Sequence, residues 1–150
     1  MLTPPEIARS LLAAGESKAR LPFGKMLLLA ILAGAYIALA GVGATAAAVT
    51  VESGSLAKLL SACVFPAGLS MVILAGSELF TGNCLIVMDV VGKKVTWFEC
   101  IRNLIVVYFS NLIGALIIDT LIYFSGNLDY TGGLLGAYAI KVAVGKGGIS

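Results

Sequence analysis

A chain of 150 residues that is 59% hydrophobic and 12% charged cannot hide its apolar side chains inside a soluble domain of this size, so a bilayer has to cover them. The net charge of +2 is small and scattered, which excludes the clustered basic face that nucleic-acid binding needs. With no histidine, and with Cys63, Cys84 and Cys100 outside any Cys-x-x-Cys pair, neither a metal site nor a redox dithiol is suggested, and no cofactor is implied.

Residues 1–20 are polar and lack the basic stretch running straight into an apolar core that marks a cleavable signal, so the N-terminus is expected to be retained. Thr3 can cap a helix whose first turn holds Pro4, Pro5 and Glu6, and Ile7, Leu11 and Leu12 give it an apolar stripe as far as Gly15. This segment reads as an amphipathic lead-in helix. After Lys18, Arg20 and Lys25 the run from Met26 to Val51 carries no charge and exceeds the roughly 20 helical residues that cross a hydrocarbon core. It is the first expected span, and Ala30, Gly34, Ala38 and Gly41 mark one of its faces for close helix contact.

A polar turn holding Glu52, Ser53, Gly54, Ser55 and Lys58 leads into residues 59–91, which are apolar apart from Glu78 and Asp89. As one helix this stretch would reach about 50 Å, well beyond a hydrocarbon core of about 30 Å. The interruption is legible at 76–83: Gly76 can end one helix in a left-handed conformation, and either Thr81 or Asn83 can cap the next. Non-helical backbone at membrane depth survives only where protein or a wet cavity satisfies it, so the break belongs at a functional core. The following half-helix would offer free N–H groups and a positive dipole end to a small anion, with Thr81 adding a hydroxyl. Phe65 and Leu69, four residues apart beside Pro66 and Gly68, could stack as an apolar constriction. Glu78 would repel an anion, so it is assigned a structural part as a partner for loop N–H groups.

Lys93, Lys94, Glu99 and Arg102 separate the broken span from a third, over 103–125, where Asn103 and Asn111 share a face and are assigned hydrogen bonds across helices. Residues 126–150 are Gly-rich, with an apolar stretch at 134–144 too short to span, and are expected to form an ordered loop with a short interfacial helix. Basic residues cluster before the first span and between the second and third, which puts the N-terminus in the cytoplasm and Ser150 outside. Three spans leave the ends on opposite faces, so a copy following in the same chain would be inverted.

Ala33-Gly34-Ala35-Tyr36-Ile37-Ala38, the 76–83 segment with its Leu79-Phe80-Thr81 core, and Asn103 with Tyr108-Phe109-Ser110-Asn111-Leu112-Ile113-Gly114-Ala115 together resemble the formate/nitrite transporter family. The resemblance implies an all-α membrane channel of aquaporin-like inverted-repeat fold, of which residues 21–125 are the first three-span repeat, assembled as a homopentamer in the cytoplasmic membrane. It implies a constriction at Phe65 and Leu69 and a gating loop of Leu79, Phe80, Thr81, Gly82 and Asn83. Lys141 corresponds to an external lysine that attracts anions, and Lys146 fits the same part.

The family's central His and second broken helix lie in a second repeat. Either the chain is truncated, or a proteolytic cut or a separate chain in the outer loop leaves a companion second-half segment bearing the remaining spans. The expected cargo is a small monovalent anion such as formate, nitrite or hydrosulfide, crossing either as a transiently protonated acid or charged, with loop amides replacing its water. A non-transporting membrane scaffold is the alternative. An enzyme is not expected, because no nucleophile is paired with a base and no phosphate-cradling fingerprint is present.

Overall fold

The computed structural model describes residues 3–129 and 131–148. The expected lead-in helix includes residues 1 and 2, and the expected outer loop includes residues 130, 149 and 150; these, with the outward placement of Ser150, lie outside the described residues. Among the described residues the chain is helical, with no strand. Phe23–Ala48, Gly54–Leu74 and Trp97–Phe124 are long and apolar enough to cross a membrane. The chain divides into two compact units, Met1–Gly34 with Ala75–Gly114, and Ala35–Leu74 with Ala115–Ser150.

In the first unit, α1 (Pro4–Ala19) opens on Thr3, whose backbone N–H and hydroxyl both donate to Glu6 Oε2, at 2.7 and 2.8 Å. Those two bonds favour the ionised carboxylate and hold the Glu6 carboxyl below its ordinary range. The sign follows: the cap's contribution is complete above the ordinary carboxylate range and is lost as pH falls through the lowered value. Cα chemical shifts of residues 4–7 should therefore move toward coil values on acidification, while in a Glu6→Gln variant they should not respond to pH.

The opening turns of α2 (Phe23–Ala48) and α7 (Trp97–Phe124) run side by side in the same direction. Asn103 reaches Met26, Val107 packs with Met26 and Ala30, and Asn111 reaches Ala30. Small residues permit the approach: a Cβ on Gly34 would collide with the backbone of Asn111. A second cluster joins Ala19 of α1, Ile86 and Val90 of α6 (Ile86–Val91), Val95, and Cys100 of α7. α1 lies against α6, with Gly15 over the fully buried carboxyl of Asp89. Because lipid is as apolar as these side chains, their burial contributes close packing rather than a hydrophobic gain, and polar contacts weigh correspondingly more.

α7 starts six residues before the expected 103. Thr96 and Glu99 form a reciprocal capping box: the Thr96 N–H and hydroxyl donate to Glu99 Oε2 at 2.8 Å, and the Glu99 N–H donates to Thr96 Oγ1 at 3.2 Å. Glu99 and Arg102 thus belong to the helix start, while Lys93 and Lys94 stay in the turn before it.

The second unit holds the remainder of α2, α3 (Gly54–Val64), α4 (Pro66–Leu74), the end of α7, a 3-10 turn at Asn127–Asp129 and α8 (Leu134–Gly147). Phe65 sits between α3 and α4, where Pro66, lacking an N–H, opens the new helix. Phe23 opens α2 three residues earlier than Met26, and α3 starts before residue 59 because Ser53 caps it, its hydroxyl accepting from the Leu56 N–H.

Candidate functional site: the break after the second span

α4 ends at Leu74, and Gly76 adopts φ +60°, the left-handed turn that a residue without Cβ makes at little cost. Ser77, Glu78 and Leu79 then run without helical structure until α5 (Phe80–Asn83), one turn before α6. Two expectations are corrected here. Phe80, Thr81, Gly82 and Asn83 form a helical turn rather than a loop, and neither Thr81 nor Asn83 caps it: Leu79 is the N-cap residue, with no side-chain cap bond. The cap is supplied from elsewhere in the chain.

That cap is Asn111 of α7. Its Oδ1 accepts from the Phe80 N–H at 3.0 Å, and its Nδ2 donates to the carbonyls of Glu78 and Ala30 at 2.9 and 2.7 Å. The Glu78 N–H completes the attachment by donating to the Leu29 carbonyl at 3.3 Å. One amide therefore satisfies both sides of the broken backbone and pins it to α2, which is what non-helical backbone in lipid surroundings requires. Phe80 adds an edge-to-face contact with Tyr108, ring centroids 5.3 Å apart.

Below the break lies a buried polar cluster. Lys18, at the end of α1, forms an ion pair with Glu78 Oε1 at 2.9 Å and donates to Asn83 Oδ1 at 3.2 Å. Asn83 Nδ2 donates to Glu78 Oε2 and Asn103 Oδ1, both at 2.8 Å, while Asn103 Nδ2 donates to the Lys18 carbonyl at 3.0 Å. Glu78 is thus engaged through its side chain with Lys18 and Asn83, and not with loop N–H groups. An intramembrane carboxylate needs a counter-charge, and Lys18 was the signal left unused when it was counted only as a flanking basic residue. Thr81 and Gly82 remain exposed. Ser77 Oγ and both carboxyl oxygens of Asp89 are buried without a hydrogen-bond partner.

Phe65 and Leu69 belong to the second unit and are each about half exposed, 48% and 49%. That unit contains a cavity of about 470 Å³ lined by Phe65, Thr45, Ser61, Asp119, Tyr138 and Lys146 among others. Phe65 and Lys146 therefore share a cavity, whereas Leu69 and Lys141 do not line it. Among the described residues no group of His, Cys, Asp and Glu is arranged to hold a metal ion.

Residues 5–150 match the family described as formate/nitrite transporter. The chain is 38% identical over 121 residues to a probable formate transporter of Methanothermobacter thermautotrophicus, covering 77% of this chain and 44% of that protein. It is 41% identical over 119 residues to the formate channel FocA of Haemophilus influenzae, covering 77% and 42%, and 34% identical over 146 residues to FocA of Escherichia coli K12, covering 95% and 51%. The chain thus spans about half the length of these relatives.

Proposed function

Because the chain belongs to the formate/nitrite transporter family, a family of transporters and not of enzymes, we propose that it forms half of a channel for small monovalent anions, formate first among them. The observation that carries this reading is the pinned break at 76–83. Helix termini leave N–H groups without intrahelical acceptors, and those of Thr81 and Gly82, on an exposed turn, can replace part of an anion's hydration. The pairing of Glu78 with Lys18 supports the same reading, since it cancels the one carboxylate that would otherwise repel an anion at this point.

In this proposal Leu79, Phe80, Thr81, Gly82 and Asn83 gate the passage, Phe65 and Leu69 narrow it, and Lys141 or Lys146 draws anions toward it from outside. Lys146 is favoured, because it shares the cavity with Phe65. Glu78, Asn103 and Asn111 hold the break in place. Residues 21–125 act as the first repeat of an aquaporin-like inverted pair, in a multi-pass protein of the inner membrane with residues 1–20 cytoplasmic and 126–150 outside. A companion segment bearing the central His completes each protomer of a homopentamer. Nitrite and hydrosulfide are the other candidate cargoes, and transient protonation is the favoured way for the anion to pass the apolar slit, where a bare charge would cost many kcal/mol.

Liposomes containing the protein with its companion segment should take up labelled formate well above empty liposomes, with about one proton per anion if the neutral acid crosses. Phe65→Ala should raise the flux and weaken selection against larger carboxylates. Flux no greater than that of empty liposomes would sink the channel reading and leave a membrane scaffold.

A further inference from the structure

The end of the first unit where α2 and α7 both begin is unusually basic. Lys25 is exposed in the first turn of α2, and Lys93 and Lys94 are exposed in the turn that precedes α7. That turn is rigidly set: Lys93 takes φ 57°, its N–H donates to the Val90 carbonyl at 3.0 Å, and the Lys94 N–H donates to the Asp89 carbonyl at 2.9 Å. Arg20 leans over it and donates to the Lys94 carbonyl at 3.3 Å.

Of the nearby carboxylates, Glu16 is engaged by Arg20 at 3.1 Å and Glu99 by Thr96, and that of Asp89 is buried beneath α1, away from the surface. Among the described residues, Lys25, Lys93 and Lys94 have no ion pair.

Next to this charge the surface turns apolar along one side of α7. Trp97 and Phe98 are exposed at its first residues, and Phe98, Ile101 and Ile105 continue at helical spacing, 77%, 51% and 53% exposed. Cations at the start of a membrane-length helix, interfacial aromatics beside them and an apolar stripe leading away match a molecule with an anionic head and a hydrocarbon tail. A free phosphate would use the cations and leave the stripe without purpose.

We propose that this patch binds an anionic phospholipid, with Lys93 and Lys94 on the headgroup phosphate, Arg20 and Lys25 adding charge, and an acyl chain lying along Phe98, Ile101 and Ile105. The site stands apart from the break at 76–83 and does not depend on which anion is carried.

Native mass spectrometry of the purified protein, equilibrated with phosphatidylglycerol and phosphatidylcholine of identical acyl chains, tests it. Wild type should retain phosphatidylglycerol at least about tenfold more than phosphatidylcholine. The double variant Lys93→Gln/Lys94→Gln should lose roughly ten- to thirtyfold of that binding, at about fivefold per basic residue near a charged headgroup. Lys58→Gln, an exposed lysine of α3, should change nothing, and Phe98→Ser/Ile101→Ser should weaken both lipids alike. Both lysines are exposed, so the double variant should fold, as circular dichroism would register. Equal retention of the two lipids by wild type, undiminished phosphatidylglycerol binding in the double lysine variant, or displacement of the lipid by millimolar inorganic phosphate would each overturn the proposal.

Discussion

Replacement of Asn111 by leucine is expected to release the segment between α4 and α5 and to cost several kcal/mol of stability. Three backbone groups depend on this amide: the Phe80 N–H and the carbonyls of Glu78 and Ala30. A buried polar group left unpaired costs about 1–3 kcal/mol, whereas a side-chain hydrogen bond between membrane helices contributes about 0.6 kcal/mol on average. The larger figure governs for the Glu78 carbonyl and the Phe80 N–H, which flank the break, where no helical partner replaces the amide and lipid offers none, whereas the Ala30 carbonyl lies inside α2. Leucine is close to asparagine in size, so the loss is hydrogen bonding and not volume.

Thermal unfolding in detergent should show a midpoint several degrees below wild type. Amide exchange at residues 77–80 should accelerate ahead of that in the body of α7. If the segment gates the passage, formate flux through the reconstituted channel should also lose its regulation before the protein loses its fold. A variant with wild-type exchange at 77–80 would show that Asn111 does not hold the break.

The second large effect concerns Lys18. Lys18→Met removes the partner of a carboxylate that is only 5% exposed, and leaving one member of a buried pair unpaired costs about 3–5 kcal/mol. Lys18 itself is 32% exposed, so the loss should fall near the lower figure. The double variant Lys18→Met/Glu78→Gln should recover most of it, since a neutral amide at 78 can still accept from Asn83. Recovery in the double variant is the signature of an ion pair whose members are costly singly and nearly neutral together.

Flux should follow the same pattern. If anions pass Thr81 as proposed, an uncompensated Glu78 would meet them with a negative charge, and transport should fall at least about tenfold in the single variant while the double variant restores it. Purely additive losses would mean that Lys18 and Glu78 act independently.

Hydropathy revealed the three membrane-length helices, because a run without charge has the same consequence wherever it lies in the chain. Gly76 disclosed the end of α4 for an equally local reason: its missing Cβ permits the left-handed turn at φ +60°. The length of residues 59–91 required an interruption somewhere. Helix ends were less legible, as α7 illustrates, since Glu99 looked like an intervening charge until its bond to Thr96 made it part of a cap.

Asn103 and Asn111 were legible as residues that bond across helices, but their partners were not. Thr81 and Asn83 have capping chemistry but lie within α5 itself, and the cap comes from Asn111, 31 positions away from Phe80. Glu78 advertised a need for a partner, and Asn83 and Lys18 answer it from 5 and 60 positions away.

The difference is physical. Membrane insertion, the break in the second span and the left-handed glycine follow from the chain's own composition and backbone sterics, which act over a few residues and are written in order. The neutralisation of Glu78 and the pinning of the broken backbone depend on which helices lie together. In lipid that choice is made by small residues such as Gly34 and by hydrogen bonds between distant segments. Only the folded arrangement brings Lys18, Glu78, Asn83, Asn103 and Asn111 to one place, and only there do a lone acid and an open loop become a paired carboxylate and a pinned backbone.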